Sequence, residues 1–105
     1  MKKAEMSQQE TPTDTIGVIY CPRPGGHRRW KKILRLLKNS GICFDYIQSE
    51  NSSDVERIAT IMVRNGYTTI IIVGGDSALN YAINAIMQTE VPYGKRPVLG
   101  VIPAG

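Results

Sequence analysis

At 105 residues, 42% of them hydrophobic, the chain has material for one small core and not for two. No apolar run nears the roughly 18 residues that span a bilayer, and the lysines of Met1-Lys2-Lys3-Ala4-Glu5-Met6 have no apolar stretch behind them, which excludes a secretory signal. The net charge is +4, and two cysteines (Cys21, Cys43) with one histidine (His27) are too few for a disulfide framework or a metal centre, so free thiols in a cytoplasmic setting are expected.

Residues 1–14 are polar and aperiodic and predict a disordered tail. Ile16-Gly17-Val18-Ile19-Tyr20 reads as a first strand. Trp30, Ile33, Leu34 and Leu37 recur at i, i+3, i+4 and i+7, predicting a helix over about 28–39 that Gly41 ends. The same segment concentrates charge, with His27-Arg28-Arg29-Trp30-Lys31-Lys32 followed by Arg35 and Lys38. Such a run is either a solvated helix face or a surface drawn to anionic phosphates or an anionic membrane. Nucleic acid is not expected as a partner, because the one aromatic in the run, Trp30, falls on the apolar stripe and cannot stack on bases.

Ile42-Cys43-Phe44-Asp45-Tyr46-Ile47 reads as a second strand. Val55, Ile58, Ala59 and Met62 repeat the helical spacing, with Ser53 and Glu56 as a capping box and Gly66 as the stop. Thr69-Ile70-Ile71-Ile72-Val73 is apolar throughout, as in a strand buried on both faces. Leu79, Ala82, Ile83 and Ile86 mark a third helix capped by Asp76 or Ser77. After an irregular link containing Pro92, Gly94 and Pro97, Val98-Leu99-Gly100-Val101-Ile102 is a fourth strand.

Strict β-α-β-α-β-α-β alternation predicts an α/β fold: a parallel sheet of about four strands in the order 2-1-3-4, with three helices. Right-handed crossovers then put the first helix on one face and the other two on the opposite face. The thinly covered face is expected to drive self-association or to take a partner helix. Loops leaving the carboxyl ends of the strands share one edge, and ligands bind there where the strand order reverses. The rule selects Cys21-Pro22-Arg23-Pro24-Gly25-Gly26, Gln48-Ser49-Glu50-Asn51-Ser52, Gly74-Gly75-Asp76-Ser77-Ala78 and Pro103-Ala104-Gly105. The first and third are rich in glycine and flank the reversal. A glycine corner opening a helix gathers backbone N–H groups and the positive helix end at one point, which suits a phosphate. There is no GxxxxGK[ST], no GxGxxG after the first strand, and no nucleophile elbow.

Gly74-Gly75-Asp76 with Leu79-Asn80 resembles the GGDGTLNE motif of diacylglycerol kinase-type lipid kinases, shared with sphingosine kinases and more remotely NAD kinases. Cys21-Pro22-Arg23-Pro24-Gly25-Gly26 resembles the family's NPxSG loop. Ser49 stands where the family has a nucleotide-contacting threonine, and Val101-Ile102-Pro103-Ala104-Gly105 resembles the start of its IPxGTxND segment. The resemblance covers about residues 15–105. It implies the ATP-binding N-terminal domain, with a three-layer Rossmann-like fold, of a lipid kinase that passes the γ-phosphoryl group of ATP to a lipid hydroxyl, with Mg²⁺ required. It also implies a cytoplasmic location, or a peripheral one at a membrane surface.

By the same resemblance, Cys21, Pro22, Arg23, Pro24, Gly25, Gly26, Ser49, Gly74, Gly75, Asp76, Ser77, Ala78, Leu79 and Asn80 would line the nucleotide. Asp76 would stand nearest the transferring phosphate or its metal. Ser77, Ala78 and Tyr81 replace the motif's glycine, threonine and glutamate. If position 77 needs a positive φ, serine is strained there, and the lost threonine hydroxyl removes a hydrogen bond worth about 0.5–1.5 kcal/mol. The family's C-terminal β-rich domain, which carries the base and much of the lipid site, has no counterpart in these residues, so the chain is expected to be inactive alone. A NAD kinase-like enzyme and a non-catalytic nucleotide- or lipid-sensing module are the alternatives.

Overall fold

The structure, a computed structural model, describes residues 15–22, 26–91 and 96–103; the expected tail over 1–14 lies outside them. Strands β1 (Ile16–Tyr20), β2 (Asp45–Gln48), β3 (Thr69–Gly74) and β4 (Val98–Pro103) alternate with helices α1 (His27–Asn39), α2 (Asp54–Arg64) and α3 (Asp76–Gln88). The strands form one sheet in the order β2-β1-β3-β4, and every neighbouring pair is parallel. This is the expected order, and the parallel pairing follows from joining each strand to the next by a helix.

The helices divide between the faces as the handedness rule requires. On one face Val18, Tyr20 and Val73 meet α1, which buries Trp30 and packs Ile33, Leu34 and Leu37 around it. The Trp30 ring stacks on Tyr20 with centroids 4.5 Å apart and planes within 5°, and its edge meets Tyr46. On the other face Ile19, Ile70 and Ile72 lie under Val55, Ile58 and Met62 of α2 and Ala82, Ala85 and Ile86 of α3. The alanines let α3 approach the sheet closely. Exposed apolar side chains stand on both edge strands, Tyr46 (47%) and Ile47 (43%) on β2 and Val98 (68%) and Val101 (44%) on β4.

Helix ends are where the structure departs from expectation. The two glycine stops hold: Gly41 and Gly66 have φ of +84° and +82°. At Gly66 the N–H groups of Gly66 and Tyr67 donate to Val63 and Met62 carbonyls, both at 3.1 Å, a complete glycine-terminated helix end. The capping box at Ser53 does not form. Ser53 already has helical angles, φ −69° and ψ −26°, which turn its hydroxyl away from the first-turn amides. Asn51 acts instead, its side-chain oxygen accepting from Ser53 Oγ at 2.7 Å and the Asp54 N–H at 3.0 Å.

The second strand is also shorter and later than expected. Only residues 45–48 find partners on β1. The residues after Gly41 complete the exit from α1, where the Ile42 N–H donates to Ser40 Oγ at 3.3 Å. As a sheet edge with one neighbour, β2 has nothing to hold residues 42–44 in register.

Trp30 is the hold of α1 on the sheet, so Trp30→Ala is expected to cost about 3–5 kcal/mol in urea unfolding, and Trp30→Phe, which keeps a ring over Tyr20, distinctly less.

Candidate functional site

The loops after β1 and β3 start side by side because the register pairs Tyr20 with Val73. The Cys21 N–H extends that ladder, donating to the Val73 carbonyl at 2.9 Å. From here one connection returns toward β2 and the other runs toward β4, so the two loops flank the point where the strand order reverses. Gly74 makes the approach possible: a Cβ there would stand 3.2 Å from Cys21 Cβ and 3.4 Å from Ala78 Cβ. A larger side chain would wedge the end of β1 from the start of α3.

α3 starts without the expected cap. Its N-cap is Gly75, in extended geometry (φ −109°, ψ −166°), and among the described residues no side chain bonds to the first-turn amides. Asp76 and Ser77 already lie inside the helix, because β3 runs straight through Gly74 and leaves Gly75 to make the corner. Serine at 77 therefore sits in helical geometry, and the strain expected of a positive φ does not arise. The first-turn N–H groups keep their outward donors, and the Asp76 carboxylate is exposed beside them.

A cleft of about 270 Å³ opens at this corner, lined by Cys21, Pro22, Ser52, Gly75, Asp76, Ser77 and Ala78. Six of the residues singled out in the sequence thus meet at one place. Gly74 lies directly behind them, buried, and Gly26 is buried at the start of α1. Leu79 and Asn80 continue along α3 outside the lining. Arg23, Pro24 and Gly25 lie outside the described residues.

Ser49 is not on the cleft surface. It is fully buried, its N–H donating to the Tyr20 carbonyl at 2.8 Å and its hydroxyl to the same oxygen at 3.4 Å. Ser52, which sequence reasoning did not single out, presents its hydroxyl instead, 3.8 Å from Cys21 Sγ. The loop that carries it is tied down by Asp54, which accepts from the Glu50 N–H at 2.9 Å and from Arg57 Nε at 2.7 Å. The bond from Arg57, then that from Glu50, holds the Asp54 carboxyl below the usual carboxylate range. The Ser52 signal lay in the loop rule, which selects 48–52 as a whole without saying which hydroxyl turns outward.

The arrangement offers uncapped helix-end amides, two hydroxyls and one carboxylate around a small cleft, on a doubly wound parallel α/β domain. A sequence model of the diacylglycerol kinase catalytic domain matches residues 15–105, and the chain belongs to that family. It is 31% identical over 91 residues to a diacylglycerol kinase of Staphylococcus haemolyticus (strain JCSC1435), covering 84% of this chain and 26% of that protein. It is 28% identical over 91 residues to a diacylglycerol kinase of Staphylococcus carnosus (strain TM300), covering 84% and 28%. Among solved structures, a candidate diacylglycerol kinase from Bacillus anthracis str. Sterne shares the fold, with a TM-score of 0.74 at 22% identity over 91% of this chain and 34% of that one. The chain thus spans about a quarter of the length of the curated relatives it matches.

Two tests follow. Gly74→Ala should lower stability by about 1–3 kcal/mol in chemical unfolding, since neither Cys21 nor Ala78 can move without shifting backbone. Asp54 contributes while it is ionised, so its stabilisation is full at neutral pH and fades as pH falls through its lowered folded value. Asp54→Asn should cost a few degrees of Tm at about pH 7, and the gap should narrow only as pH falls below the usual carboxylate range.

Proposed function

We propose that this chain forms the nucleotide-phosphate half of a diacylglycerol kinase-type lipid kinase, in which the cleft holds the polyphosphate of ATP and the γ-phosphoryl group passes to a lipid hydroxyl. One observation carries the reading. The start of the loop after β1 and the first turn of α3, which no side chain among the described residues caps, share one cleft at the reversal of strand order. Uncapped amides and the positive helix end favour a bound anion there. At about 270 Å³ the cleft is below the roughly 300–1,000 Å³ of pockets that swallow a whole ligand. That size suits a phosphate arm, with ribose and base beyond it.

The exposed carboxylate of Asp76 would repel phosphate unless a cation stood between them. Mg²⁺ takes one or two carboxylates together with phosphate oxygens, so Asp76 is the residue that would hold it. Bound there, the ion would neutralise charge on the transferring phosphoryl group. Among the described residues no group of three His, Cys, Asp or Glu could hold a metal unaided, which fits an ion that arrives with the nucleotide. Ser52 and Ser77 supply hydroxyl donors at the cleft, and Ala78, 1% exposed, fills the space beneath without one. Because the chain spans a quarter of its relatives, lipid phosphorylation is proposed for the longer catalytic unit. The 105 residues alone are proposed to bind nucleotide without turnover.

Titration calorimetry with ATP, with and without Mg²⁺, tests the site. Ser77→Gly should weaken ATP binding about 2- to 10-fold through loss of one hydroxyl donor. Asp76→Ala should abolish the Mg²⁺-dependent gain and strengthen metal-free binding, because the carboxylate that repels the phosphate is gone. Absence of any heat with millimolar ATP and Mg²⁺ would remove the nucleotide reading.

A further inference from the structure

We infer that Asp54 is a positioning residue for the cleft: it closes the loop after β2 on itself and so keeps the Ser52 hydroxyl turned toward the bound phosphate. This role rests on the nucleotide reading of the cleft and belongs to a side chain outside the lining. The loop hangs between two fixed points. Ser49 is fully buried and bonds twice to the Tyr20 carbonyl, and Val55 is fully buried in the core beneath α2. Residues 50–54 between them are all polar, and none is fully buried. Hydrogen bonds, not packing, set their path.

Asn51 Oδ1 accepts from the Ser53 hydroxyl at 2.7 Å and from the Asp54 N–H at 3.0 Å. The Asp54 carboxylate reaches back along the chain, its Oδ2 accepting from the Glu50 N–H at 2.9 Å. Together these bonds close a ring of chain around Ser52, the one residue of 50–54 that lines the cleft. On its helix side Ser52 is held by its own carbonyl, which accepts from the Val55 N–H at 3.2 Å. On its strand side the hold is the bond from Glu50 to Asp54.

The ordinary role of an acid at this place is to stabilise the helix, through the positive helix end and through a cation one turn on. Arg57 Nε, 2.7 Å from Oδ1, accounts for one oxygen in that way. The other oxygen is engaged by an amide outside α2, four residues earlier in the chain. Charge separates the two roles by sign. Asp54 is an anion on the loop that borders a cleft for polyphosphate, so by Coulomb's law alone Asp54→Asn would leave ATP affinity unchanged or raise it. A purely stabilising role would lower the melting temperature and leave the affinity of the folded protein where it was. Positioning predicts the opposite sign. The substituted amide has one acceptor oxygen where the carboxylate has two, so the bonds from Glu50 and Arg57 cannot both be kept as they are. A loosened loop must then be ordered when phosphate binds, and that cost weakens binding.

Calorimetric titration of the 105-residue chain with ATP and Mg²⁺, beside Ser52→Ala, Asp54→Asn and the double variant, tests the inference at a temperature where all four are folded. We expect each single substitution to weaken ATP binding about 2- to 10-fold. The double variant should bind no more weakly than Ser52→Ala, because Asp54 acts through that hydroxyl. Asp54→Glu, which keeps two acceptor oxygens, should bind ATP more tightly than Asp54→Asn. A second measurement reads the loop without nucleotide. Cys21 is 4% exposed with Ser52 Oγ 3.8 Å from its Sγ, so in a Cys43→Ser background Asp54→Asn should speed its alkylation by iodoacetamide severalfold. Unchanged or tighter ATP binding by Asp54→Asn, or losses that add in the double variant, would overturn the inference and leave the nucleotide reading standing. An unaltered Cys21 rate would overturn it whatever ATP does. No heat from the wild-type chain is the separate failure of the nucleotide reading.

Discussion

Everything at the site depends on how closely the end of β3 can pass the end of β1. Parallel pairing puts Tyr20 level with Val73, so the next residues on each strand compete for the same space. Cys21 occupies it with a side chain, and Gly74 yields it by having none. The consequence reaches beyond packing. Because Gly74 stays in the strand, Gly75 becomes the corner and α3 begins one residue later, at Asp76. Its first-turn amides then face the start of the β1 loop instead of solvent at large. A methyl group at position 74 would crowd Cys21 at the corner where the helix end carries its partial positive charge.

The same register accounts for the altered residues of the motif. Asp76 and Ser77 fall inside the helix, so neither is spent on capping, and both side chains are exposed where the cleft opens. Ala78 falls on the inner side of α3 and packs near Gly74, where a hydroxyl would have little to bond. The hydroxyl that the family motif carries at that position is absent here, and two others reach the cleft, from Ser77 one residue earlier and from Ser52 on the neighbouring loop. Ser77 and Ser52 are thus the two hydroxyl sources at the cleft. Arg57 and Asp54 hold the second source in place from the start of α2.

Most of the architecture was legible because it rests on periodicity and alternation. The run Ile70-Ile71-Ile72-Val73 could only be a strand covered on both faces, and the spacing of Trp30, Ile33, Leu34 and Leu37 identified the inner face of α1 before any packing was known. Capping was not legible, because it depends on backbone angles at single residues. Ser53 has the right chemistry for a cap and the wrong φ and ψ, while Asn51, two residues earlier, has both the chemistry and the reach. The start of β2 failed for a related reason: an edge strand is as long as its one partner allows, and β1 offers only Gly17 through Tyr20. At the site, the two loops were identifiable from their glycines. Whether Ser49 or Ser52 faces outward was decided by a hydrogen bond to the Tyr20 carbonyl that draws Ser49 inward.

Helix α1 shows how stability and surface can be separated on one element. Its inner stripe supplies the hold on the sheet, with Trp30 stacked on Tyr20 and flanked by Ile33, Leu34 and Leu37. Its outer residues are nearly all cations, and their mutual repulsion works against the helix that carries them. A chain selected for stability alone would intersperse Glu or Asp among them at i+4, and α2 does place Asp54 against Arg57 across one turn. The contrast between the two helices makes the uniform charge of α1 a property of its surface and not of the fold.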